Sequence, residues 1–459
     1  MDGRGLVVMR GGSLDGRLVA AVRAGDESAV RALLGEGADP DTGGPDGLPV
    51  LCAAVGAYDS AVADALVDGG ADPDRVLPDG TTPLWRAVDG GSPAVAAAVL
   101  GREPRLRLPA KTRERLLDLA RSWHETGAAE ELRRRTGASG PAETVRVPDD
   151  ADAYQRIDQV SLGGLVVRDG HAGILTALEW AFRVLTPVDE LIARAAHRPD
   201  EDDATWWQVT LVLLHRRSFA TWSAVVAHRH HPDLAHRRFV ADFLRTRGVV
   251  VHDSPYADAE GDFLSAWAEE ETDPGMLAKV LDAFGEYEHP GLEAAGLRHA
   301  GHPDVRVRQQ VPALLHPGEG TLTPPGRAAL LALVRDPDAT VRFQACRVAV
   351  GDDPLLGPAV RALLMLAEDP DAGLRGEAAV LLASCRDRTP AVADALFALL
   401  DEDDQITRLE AAYGLALRDD PRTADAVERV GPLGDGFEED HRWSRLWQWK
   451  WDKEHPASG

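Results

Sequence analysis

Cysteine is scarce in this chain: Cys52, Cys346 and Cys385 are the only three among 459 residues. They lie far apart and show no CxxC spacing, which excludes a disulfide-stapled scaffold or a cysteine zinc site and fits buried thiols in a reducing cytosol. Aromatic residues are also few, at 5% of the chain. Alanine and leucine dominate instead, and such small and medium apolar residues suit thin stacked helices better than a thick sheet-based core. No run approaches the roughly 18 apolar residues that a membrane span needs, and no charged start followed by an apolar core marks a signal peptide. The expected setting is therefore cytoplasmic, with no membrane contact. Catalytic signatures are missing too. There is no phosphate loop, no Gly-x-Ser-x-Gly elbow and no His-Glu-x-x-His, since His124-Glu125 is followed by Thr126-Gly127-Ala128. No catalytic residue, metal or cofactor is expected.

What the chain has in excess is negative charge, with a formal net of −25. Phosphate contacts need a positive field, so nucleic acid is not an expected partner. One stretch runs against this average. Residues 205–250 hold seven arginines, Arg216, Arg217, Arg229, Arg237, Arg238, Arg245 and Arg247, against two aspartates, together with His215, His228, His230, His231 and His236. Guanidinium forks of this kind suit an acidic or phosphorylated protein partner. The plainer alternative pairs these arginines with carboxylates of neighbouring helices.

A short pattern recurs along the C-terminal half. Asp338, Val341, Arg342 and Ala345 return 33 residues later as Asp371, Leu374, Arg375 and Ala378, and again as Asp404, Thr407, Arg408 and Ala411, after an earlier copy at Asp304, Val307, Arg308 and Val311. In Asp336-Pro337-Asp338 the proline stops one helix and Asp338 accepts amides of the next, a cap that contributes about 1 kcal/mol. Val341 and Ala345 share a helical face, and the alanine admits a close neighbour. The arginines of successive repeats are placed to ladder against successive aspartates. A fixed period of this length marks stacked helix pairs. The pattern resembles HEAT repeats, and six degenerate copies are read over residues 186–430, with an insertion near 251–261.

A second period occupies the other end. Gly35-Glu36-Gly37-Ala38-Asp39-Pro40-Asp41 returns after 33 residues as Asp68-Gly69-Gly70-Ala71-Asp72-Pro73-Asp74, and Asp46-Gly47 as Asp79-Gly80 before Thr81-Thr82-Pro83-Leu84. Glycine suits a helix exit at positive φ, and Thr-Pro is a strong helix start. These segments resemble ankyrin repeats over about 90 residues, with Trp85 where such repeats usually carry histidine.

The organisation read from these patterns is all-α, two α-solenoids in tandem, ankyrin-like then HEAT-like. Its parts are a flexible tail over residues 1–13, ankyrin-like repeats over 14–104, a helical cap over 105–136, a linker or intervening segment over 137–171, a HEAT-like solenoid over 172–430 and a Trp-rich cap over 431–459. Strand-like alternation is confined to residues 159–168 around Gly163-Gly164. Ser161 to Gly164 and Asp169-Gly170-His171 are read as turns before functional loops. At the end of the chain, Trp443, Trp447 and Trp451 recur every four residues beside Trp449, which predicts one buried stripe that caps the last repeat or meets a partner. The run His228-Arg229-His230-His231 invites a metal, but Pro232 breaks the helix there and no cysteine or glutamate follows at ligand spacing.

These features point to a non-enzymatic scaffold or adaptor that binds a protein partner through concave helix faces and loops. The candidate contact residues are Arg216, Arg217, Arg229, Arg237, Arg238 and Arg245, then Trp85 with Arg86. The rival reading comes from HEAT-like lyases acting on chromophores and HEAT-like DNA glycosylases. The latter requires the basic stretch to form a groove in which Trp206, Trp207 and Trp222 stack on bases. Oligomeric state is not legible in the sequence.

Overall fold

Polar side chains cap the starts of many helices of this protein. The computed structural model describes residues 13–149, 154–251, 255–316, 318, 320–434, 437 and 440–455. The tail expected over 1–13 therefore lies outside the described residues, apart from Ser13. These residues form two compact units, 1–243 and 244–459, with the division falling inside helix Leu234–Val250.

The first unit opens with three antiparallel helix pairs, Leu14–Ala24 with Glu27–Gly35, Val50–Ala57 with Ser60–Asp68, and Pro83–Gly90 with Pro93–Leu100. Asp26, Asp59, Thr82 and Ser92 each accept an amide of the first turn at 2.9 to 3.3 Å, which satisfies donors that the helix leaves open. Leu18, Val30, Val62, Leu66, Leu84, Val88 and Val99 are buried in one core, with Ala63 and Ala87 letting the helices approach. Between repeats the turns are tied by aspartates. Asp15 accepts the amide of Asp39 at 3.0 Å, and Asp41 accepts that of Asp72 at 2.9 Å. These aspartates thus supply hydrogen bonds to the backbone of the next turn.

Helices Ala110–Thr126 and Ala128–Thr136 close these repeats. Next comes a small antiparallel sheet of β1 (Glu143–Pro148), β2 (Arg156–Leu162) and β3 (Leu165–Arg168), in which Thr144 pairs with Val160 and Val160 with Val167. Gly163 and Gly164, at φ of 60° and 83°, make the two-residue turn between β2 and β3. β1 lies within the stretch read as linker. Its residues alternate weakly in polarity and stay largely exposed, so only pairing with β2 reveals it as a strand. Val160, Leu162 and Val167 cover Trp123 and Leu132.

The sheet docks on the last helix pair through buried polar contacts. Ser92 Oγ lies 2.6 Å from Asp149 Oδ1, Arg168 donates to the same carboxylate at 3.1 Å, and the Arg168 guanidinium lies 4.4 Å from the Tyr58 ring centre. Helices His171–Ala181, Val188–Ala196, Ala204–Arg216 and Phe219–Val226 follow, and Ile174, Leu175 and Leu178 of the first extend the apolar core of the repeats. The region read as the start of a second solenoid thus lies within the first unit.

The second unit is a succession of helix pairs from Ala257–Glu270 to Thr423–Val430, ended by His441–Glu454. Asp304, Asp338, Asp371 and Asp404 all cap helices, accepting amides of Arg306, Val341, Gly373 and Thr407 at 2.7 to 3.0 Å. Val341, Ala345, Ala378, Ala411 and Leu415 run through one continuous core. Among the described residues no helix is long and apolar enough to cross a membrane. Cys52, Cys346 and Cys385 are free and buried, and burial pushes the Cys346 thiol up to about 12.

Candidate functional site

The repeated arginines hold the stack together, by a geometry that differs from the expected ladder. In each repeat the guanidinium curls back to the carbonyls of its own turn: Arg308 reaches His302 and Pro303, Arg342 reaches Asp336 and Pro337, Arg375 reaches Asp369 and Pro370, and Arg408 reaches Glu402 and Asp403, all at 2.6 to 3.1 Å. Two of them also grip the next repeat in a fork. Arg308 binds Asp336 at 2.7 and 3.0 Å, and Arg375 binds Glu402 at 2.7 and 2.6 Å. The carboxylate engaged lies two residues before the cap, because the cap aspartate already serves helix amides.

The arginine-rich stretch is divided between the two units, and most of its guanidiniums anchor local structure. Arg216 donates to the Thr186 carbonyl at 2.8 Å, and Arg238 pairs with Glu201 at 3.1 Å. In the second unit Arg245 pairs with Asp282 at 3.1 Å, and buried Arg247 with Glu260 at 2.8 Å. Arg229 and Arg237 are partly buried, the former with its Nε 2.7 Å from His230 Nε2. Arg217 differs. It ends helix Ala204–Arg216 in the left-handed conformation, is exposed, and forms no ion pair with any described residue. Two residues on, Phe219 is 58% exposed and stacks on Trp222 with ring centres 5.6 Å apart.

Trp85 and Arg86 lie together at the start of helix Pro83–Gly90. Arg115 lies 5.2 Å from the Trp85 ring centre, and Arg86 binds Asp79 at 2.8 Å. Thr81, with Arg86 adding to it, holds the Asp79 carboxyl down at about 2. Of the tryptophans required by the base-stacking reading, Trp206 is 1% exposed and donates to Asp242 at 2.7 Å.

A histidine cluster, which sequence spacing argued against, forms in the first unit. His228 lies on the 3-10 turn Ala227–His230, His231 follows it, and His236 stands in the first turn of helix Leu234–Val250. Proline does break the helix after His231. A new helix begins at Leu234, and its first turn brings His236 beside the other two. The turn at Asp169-Gly170-His171 is structural as well: His171 is buried, stacked on Trp123 at 4.5 Å, and burial brings its imidazole down to about 4.

The tryptophan stripe is turned relative to expectation. Helix His441–Glu454 buries Leu446 and Trp449, packs Trp443 partly against the core, and directs the Trp449 indole N–H to Asp419 at 2.9 Å. Trp447 and Trp451 point away, 59% and 48% exposed, and stack on each other at 5.4 Å. At about 100° per residue, Leu446, Trp449 and Lys453 fall within a 60° arc that excludes Trp447 and Trp451. A groove of about 1110 Å³ in the second unit is lined by Tyr287, His289, Glu293, His316 and Arg347. Its Tyr287 hydroxyl is committed to the Leu244 carbonyl at 2.7 Å.

Comparison with known proteins agrees with this architecture. A family model for ankyrin repeats, in three copies, matches residues 18–107, and one for HEAT repeats matches residues 327–416. None of the curated proteins matches the sequence. Among solved structures, the chain is similar to the Escherichia coli protein YibA, at 15% identity and a TM-score of 0.40, over 58% of this chain and 97% of that one. It is also similar to an engineered protein, at 15% identity and a TM-score of 0.33, over 92% of this chain and 100% of the other. Ankyrin and HEAT repeats are generally protein-interaction modules. The chain thus carries ankyrin repeats over residues 18–107 and HEAT repeats over residues 327–416, and its described residues are mainly helical apart from the small sheet β1 to β3.

Proposed function

We propose that this protein is a non-enzymatic scaffold that holds a protein partner on the pre-ordered surfaces of its repeats. A rigid surface loses little conformational entropy on binding, which favours such a role. The observation that carries the reading is how the reactive side chains are used. Cap aspartates, turn aspartates and repeat arginines are committed to helix ends and to the joints between repeats, whereas exposed aromatic groups stand open to solvent.

Within the arginine-rich stretch, exposed Arg217 beside Phe219 is the strongest contact candidate. It joins a guanidinium that has no carboxylate partner among the described residues to an exposed apolar ring two residues on, which suits an acidic or phosphorylated segment of the partner. Arg216, Arg229, Arg237 and Arg238 are further candidates in the same unit as Arg217, Arg245 is a separate one in the second unit, and Trp85 with Arg86 provides a second contact on the ankyrin repeats. The stacked Trp447 and Trp451 offer a third, since exposed aromatic patches usually mark interfaces. Against the base-stacking alternative stands buried Trp206. We place the protein in the cytoplasm.

The test is crosslinked capture of partners by the full chain, wild type against Arg217→Glu and Phe219→Ala, with and without phosphatase treatment of the extract. A discrete protein that is recovered by wild type and lost with Arg217→Glu is expected, and phosphatase sensitivity marks it as phosphorylated. An identical set of partners in all three proteins removes this surface from the proposal.

A further inference from the structure

We propose that His228, His231 and His236 form a binding site for a divalent transition-metal ion of the zinc class, with Asp189 orienting His228. This inference is independent of the scaffold reading. Each of the three histidines offers one ligand nitrogen, and these atoms lie within 4.8 Å of one another. The tightest pair is the most informative: His228 Nδ1 and His236 Nδ1 are 3.1 Å apart. Two imidazole nitrogens on a tetrahedral zinc ion, each about 2.0 to 2.1 Å from the metal, stand about 3.3 Å apart. On its far side, His228 Nε2 lies 2.9 Å from Asp189 Oδ1, at the start of helix Val188–Ala196. A ligating histidine almost always hands its other N–H to a carboxylate or carbonyl in this way, which fixes the tautomer and strengthens the ligand.

The crowding of the rings also suits a shared ion. Three imidazole rings are crowded together, with centres 3.8 Å apart for His231 and His236, 5.3 Å for His228 and His236, and 5.5 Å for His228 and His231. A neutral ring is the form that binds metal. The His228 tautomer with its Nε2–H on Asp189 would leave the Nδ1 lone pair free for an ion, and His236 would serve as a ligand through Nδ1 in the tautomer that carries its proton on Nε2.

His231 is the third ligand. Its Nδ1 accepts the Asp233 amide at 3.2 Å, so the ring must leave that bond and its stack on His236 to coordinate. Imidazole-only sites favour zinc, copper or nickel over calcium or magnesium. A bound ion would tie the turn Ala227–His230 to the first turn of the next helix, with the carboxylate of Asp189 joining helix Val188–Ala196 to the same site.

The experiment uses the full chain, free of any affinity tag and stripped of metal. It is titrated with zinc by calorimetry and with cobalt by visible absorption. One saturable site per chain is expected, with tetrahedral cobalt bands. His228→Ala and His236→Ala should each weaken zinc binding at least about 100-fold, and Asp189→Asn about 10- to 100-fold. His302→Ala serves as the control, because His302 Nδ1 likewise accepts a backbone amide, that of Asp304 at 3.1 Å, without forming part of this cluster. Its affinity should match wild type. Should an alanine variant unfold, zinc protection of the wild-type histidines from diethylpyrocarbonate, mapped by mass spectrometry, reads the same site. Absence of saturable binding by about 1 mM zinc, or affinities unchanged in both histidine variants, overturns the proposal.

Discussion

Removing Arg308 offers the sharpest check on how the HEAT repeats are joined, because Arg342 supplies an internal control. Both guanidiniums donate to two carbonyls of their own turns, at 2.9 and 3.1 Å for Arg308 and 3.0 and 2.9 Å for Arg342. Arg308 alone adds a fork to Asp336 of the next repeat, and that pair is largely shielded, with side-chain exposures of 14% and 7%. Arg342→Ala should therefore cost about 1.5 to 3 kcal/mol, the net value of one shielded hydrogen bond from a charged group, since its other carbonyl bond is exposed and water replaces it. Arg308→Ala leaves a shielded carboxylate unpaired and should cost about 3 to 5 kcal/mol. The assay is urea unfolding of the full chain followed by circular dichroism, urea being uncharged and so not screening the pair. A cycle with Asp336→Asn, which keeps an acceptor for the Asp338 amide, should give a coupling of about 1 to 3 kcal/mol. Burial alone would raise the Asp336 carboxyl, but Arg308 and the Asp338 amide outweigh it and hold it below the usual carboxylate range. Its stabilisation is thus present above about pH 4 and is lost as the pH falls below that value. A coupling under about 0.5 kcal/mol, or equal costs for the two arginines, would refute the joint as drawn.

Three further outcomes follow from the same contacts. Gly91 has φ of 82°, and a Cβ there would lie 1.8 Å from the Arg168 carbonyl, so Gly91→Ala should loosen the sheet and speed amide exchange over β2 and β3. Gly47→Ala, at φ of 77° with open space around it, should cost only about 1 to 2 kcal/mol in backbone strain and leave those amides protected. Because burial holds His171 neutral down to about pH 4, while an unfolded histidine titrates near 6.5, the unfolded chain binds the extra proton between those values. Stability should then fall by on the order of 3 kcal/mol as the pH drops through that window, and His171→Phe should remove this component of the pH profile. Finally, Leu446→Ala should destabilise the second unit by about 2 to 5 kcal/mol, whereas Trp447→Ala and Trp451→Ala should leave the unfolding free energy within about 0.5 kcal/mol of wild type. An equal loss from Trp447→Ala would mean that its face is buried after all.

Short-range chemistry made much of this architecture legible in advance. The caps at Asp304, Asp338, Asp371 and Asp404 and the glycine-rich exits near Gly37 and Gly70 are local signals, and their period alone marks stacked helix pairs. Three features were not legible. β1 carries little alternation of its own and exists through its partner strand. The helix at Trp443 to Trp451 has apolar residues most of the way round, so periodicity alone does not choose the buried face. Arg308 and Arg375 were visible as repeated arginines, while the identity of their carboxylates depends on how one turn overlies the next.

The sequence by itself determined where helices begin, where they stop and that their pairs recur every 33 residues, because caps, glycines and prolines act within one turn of themselves. Tertiary structure alone decided which guanidiniums are spent on neighbours, which indoles face solvent, and that His236 meets His228. Those contacts join residues whose distance is set by the packing of separate helices, and no pattern of nearby residue types encodes that distance.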